Sequence, residues 1–230
     1  MRARHALAGV ALLLAAVLAG LGVWQVERRA WKLALIDRVE ARLAAPAQPA
    51  PPHARWATIT DDDAYARVTA AGTWRAAPPI FTQAVTDFGA GYWVLSPLDT
   101  AGGTILVNRG FVPAGDRKAI GSPSGAARIT GLLRVTEPDG GFLRDNDPAD
   151  DRWYSRDTEA IGRARRLGPV APYFIDAEAV PGVEWPRGGL TVVRFRNNHL
   201  VYAVTWFGLA AMMAYFAWRI VRIRDEAEAA

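Results

Sequence analysis

Charge is missing from two stretches of the chain, one near each end. Ala6 to Val26 carries no charged side chain over about 21 residues and Leu200 to Trp218 none over about 19, and a helix needs about 20 residues to cross a hydrocarbon core. Two membrane spans follow. Beyond the first, from Arg28 to Ala45, Trp31, Leu35, Val39 and Leu43 recur at helical spacing among Arg29, Lys32, Asp37, Arg38, Glu40 and Arg42, which predicts an amphipathic continuation of the helix. Pro46 ends it. Four prolines between Pro46 and Pro52 predict a stiff extended linker into a separately folded domain.

Within that domain the period changes from helical to strand-like. Short segments bounded by turn residues run from Tyr65 to Ala70, Pro79 to Val85, Tyr92 to Leu98, Thr104 to Phe111, Arg128 to Val135, Pro172 to Ile175 and Leu190 to Phe195. Such spacing predicts an antiparallel sheet or small barrel. One substantial helix is expected from Asp157 to Leu167, closed by Gly168-Pro169. The predicted fold is therefore an integral membrane protein in which two terminal transmembrane α-helices flank one β-rich α+β extracytoplasmic domain. Its parts are a tail (1–5), a span (6–26), an amphipathic helix with Pro-rich linker (27–52), the β-rich domain (53–198), a second span (199–218) and a tail (219–230).

An even number of crossings returns the chain to its starting side, so the two tails share a compartment. Arg2, Arg4 and the α-amino group precede the first span and Arg219, Arg222 and Arg224 follow the second, against Arg28, Arg29, Lys32, Arg194 and Arg196 at the inner ends. Basic residues in short tails bias orientation more than those in a long translocated region, which places both tails in the cytoplasm and the central domain in the periplasm. The competing reading of Ala6 to Val26 is a cleaved signal peptide, which its short basic flank suits. Against it stand the length of the run, the absence of a clean small-x-small cleavage site and an interfacial Trp24. Five residues ahead of the span leave no room for a mitochondrial presequence, so the expected setting is a bacterial inner membrane.

Composition narrows the chemistry. There is no cysteine, which removes disulfides, zinc ribbons, thiol redox chemistry and covalent haem through Cys-x-x-Cys-His. Three Met and three His are too few soft donors for a copper carrier. A formal charge of +4 shows no nucleic-acid stripe and reads as a bias toward anionic headgroups. The carboxylates at Asp61-Asp62-Asp63 and from Asp145 to Asp151 lack the spacing of a calcium loop and read as solvated turns. No Gly-x-Ser-x-Gly is present and the only histidine near the domain is His53 at the linker edge, so a hydrolase is not expected. The tail after Trp218 is too short for a cytoplasmic output module, which argues against a sensor.

His199 opens the second apolar run. An imidazole where a helix enters a bilayer suits a metal or haem iron, because water and low dielectric meet there and a neutral nitrogen donor can be held. On a helix, His199, Tyr202, Ala203, Trp206, Leu209, Ala210 and Met213 share one face, whose small residues would let a flat macrocycle or another helix approach. An ordinary aromatic belt with a polar helix start is the competing reading.

The order of short motifs along the chain resembles that of the surfeit locus protein 1 family, the Shy-type cytochrome c oxidase assembly factors. It runs from Leu21-Gly-Val-Trp24-Gln25-Val-Glu-Arg28-Arg-Ala-Trp-Lys32 through Gly72-Thr-Trp74, Gly91-Tyr-Trp-Val-Leu-Ser-Pro-Leu98 and Leu106-Val-Asn108-Arg109-Gly110-Phe-Val-Pro113. Asn146-Asp-Pro148, Arg152-Trp153-Tyr154-Ser-Arg-Asp157, Pro172-Tyr-Phe174 and Phe195-Arg196-Asn-Asn198-His199-Leu-Val-Tyr202-Ala-Val-Thr-Trp206 complete it. Two positions depart: Phe111 stands where the family usually has Trp, and Asp151 where Asn is common.

The resemblance implies a non-enzymatic membrane factor that helps mature the haem a and copper-containing catalytic subunit of cytochrome c oxidase. It implies haem a as a noncovalent ligand at His199 and the oxidase catalytic subunit as a partner; on the shared helix face Tyr202 and Trp206 would flank the haem, haem a synthase is a further expected partner, and the apolar runs add the lipid bilayer. A scaffold that clasps those partners without carrying haem is the alternative; Arg109, Trp153, Tyr154 and Asp157 would then matter more. Physically, Asn108-Arg109-Gly110 reads as a turn in which Gly takes unusual dihedrals and the Arg fork binds a carboxylate or carbonyl. Trp153 and Tyr154 are expected either to plug the sheet or to offer an aromatic contact to a partner.

Overall fold

A computed structural model describes residues 2–141, 144–191 and 197–228. The chain divides into two units, residues 1–38 with 194–230, and residues 39–193. The first unit holds most of helix α1 (Arg2–Ala44), in which the apolar run and its amphipathic continuation form one uninterrupted helix, and all of α3 (His199–Glu228). Both are long and apolar enough to cross a membrane.

The second unit is built from seven strands: β1 (Gln48–Pro49), β2 (Arg67–Trp74), β3 (Ile80–Thr86), β4 (Gly89–Thr100), β5 (Gly103–Pro113), β6 (Ala126–Val135) and β7 (Val170–Ala177), with helix α2 (Thr158–Ala164) before β7. They lie in the order β1-β2-β6-β7-β5-β4-β3, and β2 also pairs with β4 through Thr73–Asp99 and Trp74–Leu98. Five strands thus close into a small barrel, with β1 and β3 added outside it. Closure removes most of the free edge that an open sheet would expose. The ladders are antiparallel except β1–β2 and β5–β7.

Six of the seven strands expected from patterning are present. Of the seventh, Leu190 and Thr191 carry no strand, and the rest, with Arg196, lies outside the described residues. The Pro-rich segment departs from expectation in one respect. It is extended, as four prolines require, but it is part of the sheet and no free linker: Gln48 and Pro49 pair with Val68 and Thr69, and the Ala50 amide donates to the Thr69 carbonyl at 2.9 Å. Proline is tolerated there because β1 is an edge strand and its missing N–H costs no ladder bond.

Alternating side chains on β5 and β7 divide the core in two. Ile105, Val107, Tyr173 and Ile175 point into the barrel with Val68, Ala70, Leu98, Leu133 and Ala171. Leu106 and Phe174 point the other way, where Ile80, Leu95, Ile161, Leu167 and Trp153 bury them. Burial on both faces is why these strands read as nearly continuous apolar runs. Trp153 is the plug of the second cluster: it is 1% exposed, its backbone carbonyl accepts from the Gln83 amide of β3 at 2.9 Å, and its indole N–H donates to Asp151 Oδ1 at 2.8 Å. Removing so large a buried ring leaves a cavity that the surrounding strands cannot close. Trp153→Ala is expected to cost about 3–5 kcal/mol, measured by denaturant or thermal unfolding of the full chain in detergent.

Candidate functional site

In the helix unit, small residues recur at every seventh position, Ala8, Ala15 and Gly22 on α1 and Ala203, Ala210 and Ala217 on α3, and all six are buried. Ala11 and Leu18 on one helix and Trp206 and Met213 on the other fill the positions between them and are half-buried. This is the a/d spacing of two helices packed along a seam, with side chains small enough for the backbones to approach closely. A Cβ placed on Gly22 would lie 2.7 Å from the ring of Phe207. The small residues of the His199 face are therefore taken up by a second helix, which decides between the two neighbours, macrocycle or helix, that patterning left open for Ala203 and Ala210.

At one end of this seam His199 Nδ1 lies 2.7 Å from Gln25 Oε1. Gln25 is 9% exposed and is the one amide in the first apolar run. A carbonyl oxygen only accepts, so in this contact Nδ1 is the donor, and in the neutral ring Nε2 then keeps its lone pair. No hydrogen bond to Nε2 is formed among the described residues. Tyr202 on the flank is 53% exposed, Trp206 is half-buried, and the Tyr202 amide donates to the backbone oxygen of the exposed Asn198 at 3.3 Å. Asn197 buries its side-chain oxygen without a partner. Around this position on α1, Trp24 is exposed and the Arg28 guanidinium stacks on Trp31 at 4.1 Å. Among the described residues no three His, Asp or Glu side chains are grouped to hold a metal ion, so a metal ligated here would rest on a single imidazole.

The motifs of the barrel do different work. Gly72 lets β2 cross onto β4: a Cβ there would sit 2.3 Å from the Asp99 carbonyl oxygen. Trp74, next to the crossing, donates its amide to Gly125 at 3.0 Å and packs on the inner core. Asn108 is buried and bridges two strands, donating to Asp176 Oδ1 at 2.7 Å while its own oxygen accepts from the Gly110 amide at 3.1 Å. Gly110 has a φ of 128°, and a Cβ would fall 2.1 Å from Arg187 backbone atoms, so the unusual dihedrals expected of this glycine coincide with a close strand approach. Arg109 donates to the Gly121 carbonyl at 2.9 Å, and burial pushes its guanidinium below its ordinary range. Pro113 ends β5 opposite Gly91.

The Asn146 to Asp157 loop is likewise internally locked. Asn146 accepts from the amides of Tyr154 and Ser155 at 2.8 and 3.2 Å, Pro148 sits exposed in the turn, and Asp157 caps α2 by accepting from the Ala160 amide at 2.9 Å. Tyr154 is half-buried beside Arg144. The acid at Asp151 is fully used, accepting from Trp153 and, at 2.6 Å, from Arg165. Phe111 keeps an aromatic in a ring cluster with Phe88, Trp93 and Trp185.

A buried charge hub has no signature in the local sequence. Asp176, 6% exposed, takes Asn108, Arg134 at 3.3 Å, Arg156 at 3.4 Å and Thr191 at 2.8 Å. Arg156 also clasps Glu137 through two nitrogens at 2.5 and 2.9 Å. Nothing in the local pattern marks Asp176, because its partners come from β5, β6 and two loops.

A chain whose two membrane-length helices bracket a small closed barrel, with a lone imidazole held by an amide at the end of the helix seam, defines a class of tethered barrel proteins. The chain belongs to the SURF1 family, whose model matches residues 12–211. It is 35% identical to human surfeit locus protein 1 over 234 residues, covering 90% of this chain and 74% of that protein. Identity to the rat protein is 36% over 227 residues, 87% of this chain and 71% of the relative. With the surfeit locus protein 1 of Takifugu rubripes it is 33% over 240 residues, 93% and 97% of the two chains.

Acid sensitivity follows from the hub. Burial pushes the Glu137 carboxyl up, but the hydrogen bonds and charge of Arg156, with Arg134 behind them, outweigh it and hold the group below its ordinary value of 4.5. Asp99 is lowered by its hydrogen bonds from Arg75, against burial and with help from Thr104. A depressed folded pKa stabilises the fold above the unfolded value, and that stability is lost as pH falls through the folded one. Melting temperature of the full chain in detergent is thus expected to fall progressively below about pH 5, with Glu137→Gln less stable at neutral pH and flatter in that acid range.

Proposed function

We propose that this protein is a non-enzymatic assembly factor for haem-copper cytochrome c oxidase. It binds haem a noncovalently at His199 and aids its delivery to the oxidase catalytic subunit, working beside haem a synthase. The setting is a bacterial cell membrane with both termini cytoplasmic and the barrel periplasmic. Family membership supports the assembly role; the observation that carries the haem reading is the His199 imidazole, whose Nδ1 is engaged by Gln25 and whose Nε2 is left as a donor.

The residues present fit such a ligand. When bound, haem a would supply an iron that takes a nitrogen donor and a flat face that seeks apolar cover. His199 would donate the nitrogen, its ring held by the contact with Gln25. Tyr202 and Trp206 offer aromatic surface on the flank, while Ala203 and Ala210, occupied by α1, leave the ring no room directly over the seam. The unpartnered oxygen of Asn197 is a further polar group that a bound molecule would satisfy. A single strong ligand with aromatic contact suits a carrier that must release its cargo.

The residues nominated for the scaffold reading have structural partners of their own: Trp153 lies in the core, Asp157 caps a helix and Arg109 donates to the Gly121 carbonyl. Purified protein titrated with haem is expected to give a saturable one-to-one Soret signal, and His199→Ala to abolish it while the protein stays folded in the membrane, with a lowered melting temperature because the buried Gln25 amide loses its partner. A saturable signal unchanged in His199→Ala would move the ligand elsewhere, and no saturable signal in either would favour the scaffold.

A further inference from the structure

The hydrogen bond that engages Nδ1 does more than occupy it. Free histidine carries its neutral proton mainly on Nε2, the nitrogen that points away from Gln25. A ring in that form would face the Gln25 oxygen with a second lone pair. At 2.7 Å the contact is stable only when Nδ1 is protonated. Gln25 is nine-tenths buried and one seam position from Gly22, and of its two amide groups the NH2 would pair with the other tautomer, so it is the placement of the oxygen against Nδ1 that makes the selection. An apolar side chain would fill the same seam position, so packing alone does not account for the amide.

We infer that Gln25 is the positioning residue of His199: it selects the imidazole tautomer with the lone pair on Nε2 and, as an uncharged acceptor, sets the strength of that donor. The inference deepens the reading of His199 as the haem ligand and rests on it for its second half. Ligating histidines are oriented by an acceptor on the other nitrogen, and a carboxylate acceptor raises ligand basicity. An amide polarises the N–H less, so the same ring orientation is achieved with a weaker, more readily released donor. In a carrier that distinction separates delivery from retention.

The two halves are tested separately in the full chain in detergent micelles. In protein labelled with nitrogen-15 at its three histidines, and without haem, the His199 ring identified by its loss in His199→Ala is expected to show the Nδ1-protonated form. Gln25→Leu, close in size and apolar, should move it toward the Nε2-protonated form while helical circular dichroism is kept. In haem titrations Gln25→Leu should weaken binding about 10- to 100-fold, and Gln25→Glu should restore it and lower the midpoint potential of the bound haem. An unchanged tautomer in Gln25→Leu overturns the positioning role and leaves Gln25 a mere alignment contact. Absence of haem binding by the parent protein overturns the ligand reading and the donor-strength half with it, while the nitrogen shifts still decide whether Gln25 sets the tautomer.

Discussion

One amide and one imidazole, joined where two helices meet through methyl groups and glycine, fix the geometry of the helix unit. Lipid supplies no hydrophobic drive between apolar helices, so their association depends on close packing and on any polar group that finds a partner across the seam. Ala8, Ala15, Gly22, Ala203, Ala210 and Ala217 provide the closeness. Gln25 and His199 provide the alignment, since sliding either helix by one residue would leave both groups without a partner. The same bond that aligns the helices leaves one ring nitrogen free, and the proposed chemistry grows out of a packing constraint.

The barrel shows the complementary division of labour. Its most distinctive sequence motifs are turned inward: Gly72 allows the strand crossing that closes the barrel, Asn108 and Gly110 tie β5 to β7 and to Arg187, and Trp153 seals the outer core. Such residues specify a rigid fold. Arg156, Arg134 and Glu137 around Asp176 form a network in which nearly every charge has a partner, which is the condition for burying charge without forfeiting stability.

Much of this architecture is legible in the amino-acid sequence. Long uncharged runs predict the two helices, and alternation with turn residues finds six strands because local patterning and tertiary burial agree there. The joining of Pro46 to Pro52 to the sheet is not legible, since proline signals an extended chain without saying what it pairs with. Asp176 is invisible for a related reason: a buried charge is defined by partners scattered through the sequence. His199 stands out by position and residue type, but its bond to Gln25 spans 174 residues. One sequence feature does point to that bond, the seven-residue recurrence of small side chains on both helices, which marks the faces that meet.

The absence of cysteine makes the central packing claim directly measurable. In an antiparallel pair anchored at Gln25 and His199, Ala15 lies as far along α1 from Gln25 as Leu209 lies along α3 from His199, which brings Ala15 and Ala210 together in the seam. Oxidising membranes that contain the Ala15→Cys/Ala210→Cys double variant should form an intramolecular disulfide rapidly, while Ala15→Cys paired with Leu200→Cys should form none. Equal cross-linking of both pairs, or of neither, would contradict the helix alignment and with it the geometry assigned to His199.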